Sequence, residues 1–292
     1  MLMSFRILKP LDLIVFSYLL LSWILFFLID GGSDQIVRAT MFRLIVVAIM
    51  TIIIVYRRKR ILNFLRIFFP FILIAYLYSE TDILNNLILG EDLDKQAIAL
   101  EEFLFGMQPA LLFSRRVPYS WFSELMFMGY FSYYLLVIGI PVYIYQKVDL
   151  KKGEQFAFII ITSFLIYYLI FIILPVAGPQ YYFGSNELSV PKGYLFEPAI
   201  RLIQSLGERP TAAFPSSHVS ICLMLVWGCR KYAIHLLRLI LPIAFIMILS
   251  TVYIGAHYAI DVIAAFILTP ALYLISSKLY LFLSTRISLR AK

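Results

Sequence analysis

The chain has 292 residues, of which 62% are hydrophobic and 14% are charged, against roughly 45–50% apolar residues in soluble domains. This composition excludes an ordinary soluble domain, and the apolar runs extend from residue 13 to residue 283 without a soluble block between them. The net charge of +8 does not indicate a nucleic-acid partner, because the basic residues lie in short loops, where they set membrane orientation.

Eight apolar runs predict an all-α fold, a polytopic transmembrane helix bundle, because one membrane-spanning helix needs about 20 mostly apolar residues. The predicted spans are residues 13–29, 41–56, 61–78, 122–145, 156–176, 216–229, 236–254 and 259–280. The first two are expected to form an N-terminal hairpin within residues 1–60. The last six are expected to form one core domain, residues 61–292.

The first run follows Arg6 and Lys9, as the apolar segment of a signal peptide would. No convincing small-residue cleavage site follows it, so we expect it to remain as an uncleaved first span.

The longest polar segment, residues 79–120, separates the third and fourth spans. Within it, residues 93–106 predict an amphipathic helix, with Ile98, Leu100 and residues 103–105 available to enter the membrane interface. A lid or collar is the simplest role for this helix.

Membrane orientation is predicted from Lys and Arg in alternate loops, because cytoplasmic loops carry an excess of both. The richer set of loops comprises residues 6–9, 57–60, 147–152, 230–238 and 286–292. Both termini are therefore expected in the cytoplasm. Residues 178–217 and 252–257 are expected to lie together on the opposite side of the membrane.

Two of the three histidines lie at the predicted outer ends of apolar helices, where an ionisable side chain is costly and usually functional. His257 and Asp261 are four residues apart, which on a helix stacks them on one face. The carboxylate then accepts a hydrogen bond from one ring nitrogen, and the other nitrogen is left as a nucleophile or base.

The segment before the sixth span predicts an anion site. Pro215 suits the first turn of a helix, and the amides of Ser216, Ser217 and His218 are expected to point outward at the positive end of the helix dipole. Arg209 is expected to clamp phosphate oxygens. His218 is then placed as a general acid beside the anion.

Other residues with reactive or aromatic side chains are expected to be structural. Cys222 and Cys229 lie about 10 Å apart along one helix, too far for a disulfide. His235 is expected to be inert in a basic cytoplasmic loop, and Glu124 to be a structural or lid contact. Tyrosines expected in the core or at the membrane interface include Tyr133, Tyr134, Tyr181 and Tyr182.

These motifs resemble the type 2 phosphatidic acid phosphatase superfamily, whose signatures are Lys-x6-Arg-Pro, Pro-Ser-x-His and Ser-Arg-x5-His-x3-Asp. The matching residues are Pro215, Ser216 and His218 for the second signature, and Ser250, His257 and Asp261 for the third. The resemblance implies that His257 forms a phosphohistidine, Asp261 orients it and His218 protonates the leaving oxygen. It also implies that neither a metal nor another cofactor is needed.

Two cations of the family pattern are absent, since Thr251 replaces the arginine of the third signature and Leu202 the lysine of the first. The form of the motifs, with Tyr253 three residues after Ser250, is more similar to the inositol phosphorylceramide synthase branch. Leu104-Phe105-Gly106 and Gly178-Pro179 are also similar to bacterial members of that branch. The likeness covers about residues 101–265 and implies that Arg209, Ser216, Ser217 and Tyr253 bind phosphate.

The missing cations favour a phosphodiester substrate. A phosphomonoester brings nearly two negative charges at neutral pH and needs several cations in a low-dielectric site, whereas a diester brings one. Basic residues that would restore the charge by folding back are Arg115, Arg116, Lys192 and Arg201.

The expected function is transfer of a phospho-headgroup, with phosphoinositol as one candidate, from a phospholipid donor to a lipid alcohol such as ceramide. Partners are therefore these two lipids and the bilayer, without nucleic acid. Three alternatives remain open: a lipid phosphomonoesterase, a transporter using His257 and Asp261 as a proton relay, and a catalytically silent scaffold. The inverted repeat typical of many transporters is not visible in the sequence.

Overall fold

The computed structural model describes residues 8–29 and 32–291, except for the side chains of Asn186, Arg290 and Ala291. Every regular element in these residues is helical. The helices are α1 (Pro10–Leu28), α2 (Ser33–Val55), α3 (Arg60–Ile88), α4 (Asp94–Phe105), α5 (Pro109–Arg116), α6 (Ser120–Tyr143, continued by a π-helical turn, Ile144–Val148), α7 (Leu150–Ile173), α8 (Pro179–Tyr182), α9 (Gly184–Glu187), α10 (Phe196–Gly207), α11 (Ser217–Tyr232), α12 (Ile234–Tyr253) and α13 (Ala259–Ala291).

The all-α polytopic bundle is confirmed. Within the described residues, seven helices are long and apolar enough to cross a membrane, namely α1, α2, α3, α6, α7, α12 and α13. The pair α4 and α5, bent by 66°, makes an eighth if it is counted as one span. The predicted span at residues 216–229 is α11, whose 16 residues extend about 24 Å, less than the roughly 30 Å of a hydrocarbon core.

Helix α7 lies at the centre of the bundle, where it packs against α3, α6, α11 and α13. The side chains of α7 are buried along nearly its whole length. The surrounding helices, in contrast, expose apolar side chains on the faces that point away from the bundle. Ile72 is 68% exposed and Ile267 is 71% exposed. Large exposed apolar surfaces on spanning helices are typical of contact with lipid.

The N-terminal helices are attached to α3 by buried ion pairs. The guanidinium of Arg43 donates to both carboxylate oxygens of Glu80, each at 2.9 Å, and Arg66 pairs with Asp12. Charges at membrane depth are costly unless they are paired, so these contacts allow four charged side chains to lie among apolar ones.

Alternate connections gather at opposite ends of the bundle. Lys9 pairs with Glu154 at 2.7 Å, and the Tyr143 hydroxyl lies 2.8 Å from Nε2 of His235, so the basic segments around Lys9, residues 147–152 and residues 230–238 share one end. Arg6 and Lys292 of the predicted basic set lie outside the described residues. Which end faces the cytoplasm remains a prediction.

The predicted amphipathic helix at residues 93–106 corresponds to α4. Its polarity is inverted relative to a surface helix, since Asp94 and Glu101 are buried whereas Phe103 is 84% exposed. Leu100 and Leu104 are also exposed, but Ile98 packs inward, against a small apolar cluster of the bundle. The side of α4 that carries Asp94 and Glu101 is therefore directed to the protein, whereas Leu100, Phe103 and Leu104 are directed away from it.

Candidate active site

His257 lies in the turn between α12 and α13, and Asp261 lies in the first turn of α13. The expectation that the two residues share one helix face is therefore wrong, because the helix begins at Ala259. Nδ1 of His257 lies 2.8 Å from the carbonyl oxygen of Ala213 and 3.4 Å from Oδ2 of Asp261. Oδ2 of Asp261 also accepts a hydrogen bond from the Tyr258 amide at 2.7 Å. Asp261 thus caps the start of α13 while it lies beside the imidazole.

These contacts determine which nitrogen of His257 is free to react. A carbonyl oxygen only accepts hydrogen bonds, so Nδ1 of His257 donates to Ala213. The neutral ring then carries its lone pair on Nε2. This Nε2 lies 3.2 Å from Nδ1 of His218, so the predicted nucleophile and the predicted general acid are brought together.

The start of α11 supplies the predicted amide cradle only in part. Ser216 is the N-cap, and its hydroxyl accepts from the Val219 amide at 3.2 Å. Its own amide is not available to an anion, because it donates to the carbonyl of Asp261 at 3.1 Å. The amides of Ser217 and His218 belong to the first helical turn, where amides have no acceptor within the helix. The predicted anion site is therefore reduced to these two amides.

A cavity of about 380 Å³ opens beside the two histidines. At its polar end it is lined by Ser217, His218, His257 and Arg209. At its other end it is lined by apolar side chains of α3, α6 and α7, which are Phe71, Ile74, Ala75, Val137, Ile138 and Phe164. The cavity is thus amphipathic, with the imidazoles at one end.

Among the described residues, Arg209 is the one basic residue that lines this cavity. The four basic residues that were candidates to restore the charge do not line it. The guanidinium of Arg115 donates to the carbonyl of Glu187 at 2.6 Å, and Arg201 pairs with Glu197 at 3.3 Å. The deficit of positive charge inferred from the motifs therefore persists in the fold.

Tyr253, predicted to bind phosphate, does not reach the cavity. It is the last residue of α12, and its hydroxyl donates to the carbonyl of Val117 at 3.0 Å. Its ring packs edge-on against Phe113 and Phe122. The prediction for Tyr253 is wrong, because the end of α12 turns this side chain toward α5 and α6.

A carboxylate that the motifs did not indicate lies in the same cavity. Oε1 of Glu208 lies 3.3 Å from the Tyr130 hydroxyl, which in turn lies 3.2 Å from Nε2 of His218. Gln180 donates to Oε2 of Glu208 at 2.7 Å. Burial raises the pKa of Glu208 above its ordinary value, although these hydrogen bonds partly oppose the rise. A chain of hydrogen-bonded groups therefore runs from Glu208 to His257. The one feature of the sequence that could have indicated a role for Glu208 is its position immediately before Arg209.

Several tyrosines expected to be structural line the cavity instead. They are Tyr133, Tyr134 and Tyr181, together with Tyr78, Tyr130 and Tyr168. The hydroxyl of Tyr133 is buried and has no hydrogen-bond partner within the part of the chain that the structure describes. Composition alone does not separate an aromatic residue that faces a cavity from one that faces lipid, which is why these residues were missed.

Asp94 of α4 fixes the loops on which the site is built. Its two carboxylate oxygens accept the amides of Ala177 and Gly178 at 2.7 and 2.9 Å, and one of them also accepts the Tyr258 hydroxyl at 2.8 Å. Gly178 has φ +98°, and a Cβ there would lie 3.1 Å from the carbonyl oxygen of Ala256. A larger residue would therefore separate this loop from the turn that carries His257.

Two glutamates hold helix starts around the site. Oε1 of Glu101 accepts the amide of Ala259 at 2.6 Å, at the beginning of α13. The carboxylate of Glu124 accepts hydrogen bonds from the amides of Tyr194, Leu195 and Phe196, at the start of α10. Glu124 is thus a structural contact, as expected.

Among the described residues, no group of three or more His, Cys, Asp and Glu side chains is arranged to hold a metal ion.

The fold and the site together define a class of protein: a polytopic helical membrane protein with a histidine pair at one end of its bundle. A family model described as the PAP2 superfamily matches residues 96–275, more than half of the chain, and the chain belongs to this superfamily. Membership supports an activity of the lipid phosphatase or phosphotransferase type. No curated protein and no solved structure was found to match the chain. The superfamily resemblance is confirmed, whereas the inositol phosphorylceramide synthase branch remains a prediction.

Proposed function

We propose that this protein transfers a phospho-headgroup from a phospholipid diester to a lipid hydroxyl, such as that of a ceramide, through a phosphohistidine on His257. The observation that carries the proposal is the pairing of Nε2 of His257 with Nδ1 of His218 at 3.2 Å, at the polar end of an amphipathic cavity.

In the first step, Nε2 of His257 attacks phosphorus, and the bond between phosphorus and the diacylglycerol oxygen breaks. His218 donates a proton to that oxygen, so diacylglycerol leaves as a neutral alcohol. The Ala213 carbonyl and Asp261 favour this step, because both accept or stabilise the proton on Nδ1 as positive charge develops on the ring.

In the second step, the hydroxyl of the acceptor lipid gives its proton back to His218, and its oxygen attacks phosphorus. The phosphorus–nitrogen bond breaks, which releases the new phospholipid and neutral His257. Nε2 of His257 lies 3.2 Å from Nδ1 of His218, so a phosphoryl group bound between the two rings must separate them, with one ring on either side of phosphorus.

The charge of the cavity supports a diester over a monoester. Arg209 and the amides of Ser217 and His218 together suit one negative charge, and the half-buried carboxylate of Glu208 opposes a second.

The apolar end of the cavity supports a lipid substrate. Ile138 of α6 lines this end and is 45% exposed. An acyl chain that enters between α3 and α6 from the bilayer would therefore meet a continuous apolar wall.

The test is mass spectrometry of lipids after the purified protein is incubated in vesicles with diester donors and a sphingoid or glyceride acceptor. We expect a new phospholipid from the wild type and none from His257→Ala. His218→Ala should reduce the rate by about 10²–10⁴-fold. His235→Ala is the matched control, because this third histidine lies at the opposite end of the bundle and should leave the rate unchanged. Normal turnover by His257→Ala would refute the proposal.

A lipid phosphomonoesterase is the second candidate, because membership of the superfamily fits it equally well. The same incubation separates the two, since a phosphatase releases inorganic phosphate from phosphatidate and forms no new phospholipid.

A further inference from the structure

The transfer chemistry described above does not require Glu208. Two imidazoles, Asp261 and a phosphate cradle complete the reaction, yet the Glu208 carboxyl lies within two hydrogen bonds of His218, by way of the Tyr130 hydroxyl. An acid so close to a phosphate site weakens phosphate binding unless a cation compensates it.

The residues that line the cavity do not supply enough positive charge to compensate both Glu208 and a bound phosphate. Arg209 is the basic residue lining it among the described residues, and Arg209 is also the group available to the phosphate. A bound phosphodiester together with an ionised Glu208 would leave one negative charge in excess. A positive charge brought by the substrate would balance it.

Aromatic side chains surround the same region. Tyr78, Tyr130, Tyr134 and Tyr181 line the cavity together with Glu208, and the first two have hydroxyls committed to protein partners. The hydroxyl of Tyr78 donates to the carbonyl of Thr211 at 3.3 Å, and that of Tyr130 lies 3.3 Å from Glu208. Aromatic rings around an acid are the arrangement that binds substituted ammonium groups, through the negative potential of the ring faces.

The side-chain amides next to Glu208 are hydrogen-bonded to each other and to its carboxylate. Gln204 donates to Oε1 of Gln180 at 3.1 Å, and Gln180 donates to Glu208 at 2.7 Å. An uncharged headgroup such as an inositol ring brings no cation and would leave the charge of Glu208 uncompensated.

We propose that Glu208, Tyr78, Tyr134 and Tyr181 form an ammonium subsite, which selects donor phospholipids whose headgroup carries a positive charge two carbons from the phosphate, such as ethanolamine or choline. This inference rests on the proposed function, and it differs from the phosphoinositol headgroup that the family resemblance suggested. In this arrangement Arg209 binds the phosphate and the ammonium group contacts Glu208, so the charges of these four groups balance.

Transfer assays with four donors test the selection: phosphatidylethanolamine, phosphatidylcholine, phosphatidylinositol and phosphatidylglycerol, in otherwise identical vesicles. The wild type should prefer the first two. In Glu208→Gln, which keeps the size of the side chain and a hydrogen-bond acceptor for Tyr130, kcat/KM for these two donors should fall by roughly tenfold or more. The ratio of kcat/KM for these two donors to that for phosphatidylinositol should fall by a similar factor.

Glu187→Gln is the matched control, because it removes an exposed carboxylate on α9 that does not line the cavity. It should leave all four rates unchanged. A wild type that prefers phosphatidylinositol, or a Glu208→Gln protein that loses the same fraction of activity with every donor, would overturn the ammonium subsite while leaving the transferase intact.

A binding measurement separates failure of the subsite from failure of the transferase. Glycerophosphocholine and glycerophosphoinositol are soluble diesters, and each is added to the purified wild type and to Glu208→Gln during thermal unfolding. We expect glycerophosphocholine to raise the melting temperature of the wild type more than glycerophosphoinositol does, and this difference to vanish in the variant. Equal shifts, or no shift with either diester, would refute the ammonium subsite even if no transfer activity is found.

Discussion

Single residues of the site are held by groups that come from distant parts of the chain. The proton on Nδ1 of His257 faces both Ala213 and Asp261, and the amide of Ser216 joins the start of α11 to the start of α13. The orientation of the reactive imidazole therefore depends on a backbone carbonyl as much as on the carboxylate of the motif.

Asp261→Asn should lower kcat by at least about 10²-fold with little change in KM. The amide still accepts a hydrogen bond from Tyr258, so the helix start is preserved, but it no longer stabilises positive charge on His257. Steady-state kinetics of headgroup transfer measure the split between kcat and KM. Residual activity is expected because Ala213 still orients the ring, and an unchanged kcat would show that the carboxylate has no part in the reaction.

The pH dependence of stability should reflect Glu208. Burial raises the pKa of its carboxyl, so the folded protein holds this proton to a higher pH than the unfolded chain does. The stabilisation is complete below the ordinary glutamate pKa of about 4.3 and is lost as the pH rises through the raised value.

Melting temperatures of the wild type and of Glu208→Gln, measured in detergent over a series of pH values upward from the ordinary glutamate pKa, test this expectation. The wild type should lose stability relative to the variant as the pH rises. Parallel curves for the two proteins would contradict it.

At the scale of elements, the cavity depends on close packing of α6 against α12. A Cβ on Gly129 of α6 would lie 2.6 Å from the side chain of Ile246 and 3.1 Å from its backbone. Tyr130, Tyr133 and Tyr134 follow on the same helix and line the cavity. The small residue thus allows the approach that brings the tyrosines to the histidines.

Gly129→Ala should lower the free energy of unfolding by about 1–3 kcal/mol, as overpacking commonly does. It should also reduce transfer activity, because α6 must shift away from α12. The matched control is Gly139→Ala on the same helix, where a Cβ would meet no atom within 4 Å, so stability should be unchanged or slightly increased. Thermal unfolding with parallel activity assays measures both effects, and equal stability of the two variants would count against this packing argument.

The whole molecule has two chemically distinct ends. The basic loops share one end through contacts such as Lys9 with Glu154, and the histidine pair lies at the other. Because cytoplasmic loops are rich in Lys and Arg, we expect both termini inside the cell and the site on the opposite side.

Single cysteines test this orientation. In intact cells, a membrane-impermeant thiol reagent should label Ser185→Cys, which is exposed at the end that carries the site, but not Lys151→Cys, which is exposed at the basic end. Lys151→Cys should be labelled only after permeabilisation. Cys222 and Cys229 are buried, so the background should be low. The reverse pattern would contradict the predicted topology.

The sequence by itself determined the class of fold and predicted which groups react. Apolar runs of about 20 residues suffice to predict spanning helices, and the spacing of His218, His257 and Asp261 is a local property of two short motifs. Alternation of basic and apolar segments likewise predicted which loops share an end of the bundle. The superfamily was recognisable from the same motifs, and the family match confirmed it.

Only the tertiary structure decided what surrounds those groups. Glu208, Tyr130 and Asp94 reach the site from three separate segments, and no local pattern indicates that their side chains converge. Tyr253 belongs to a motif and yet turns away, because the end of its helix determines its direction. Spacing along a chain predicts neighbours within one element, whereas the charge and shape of a cavity depend on how elements pack together.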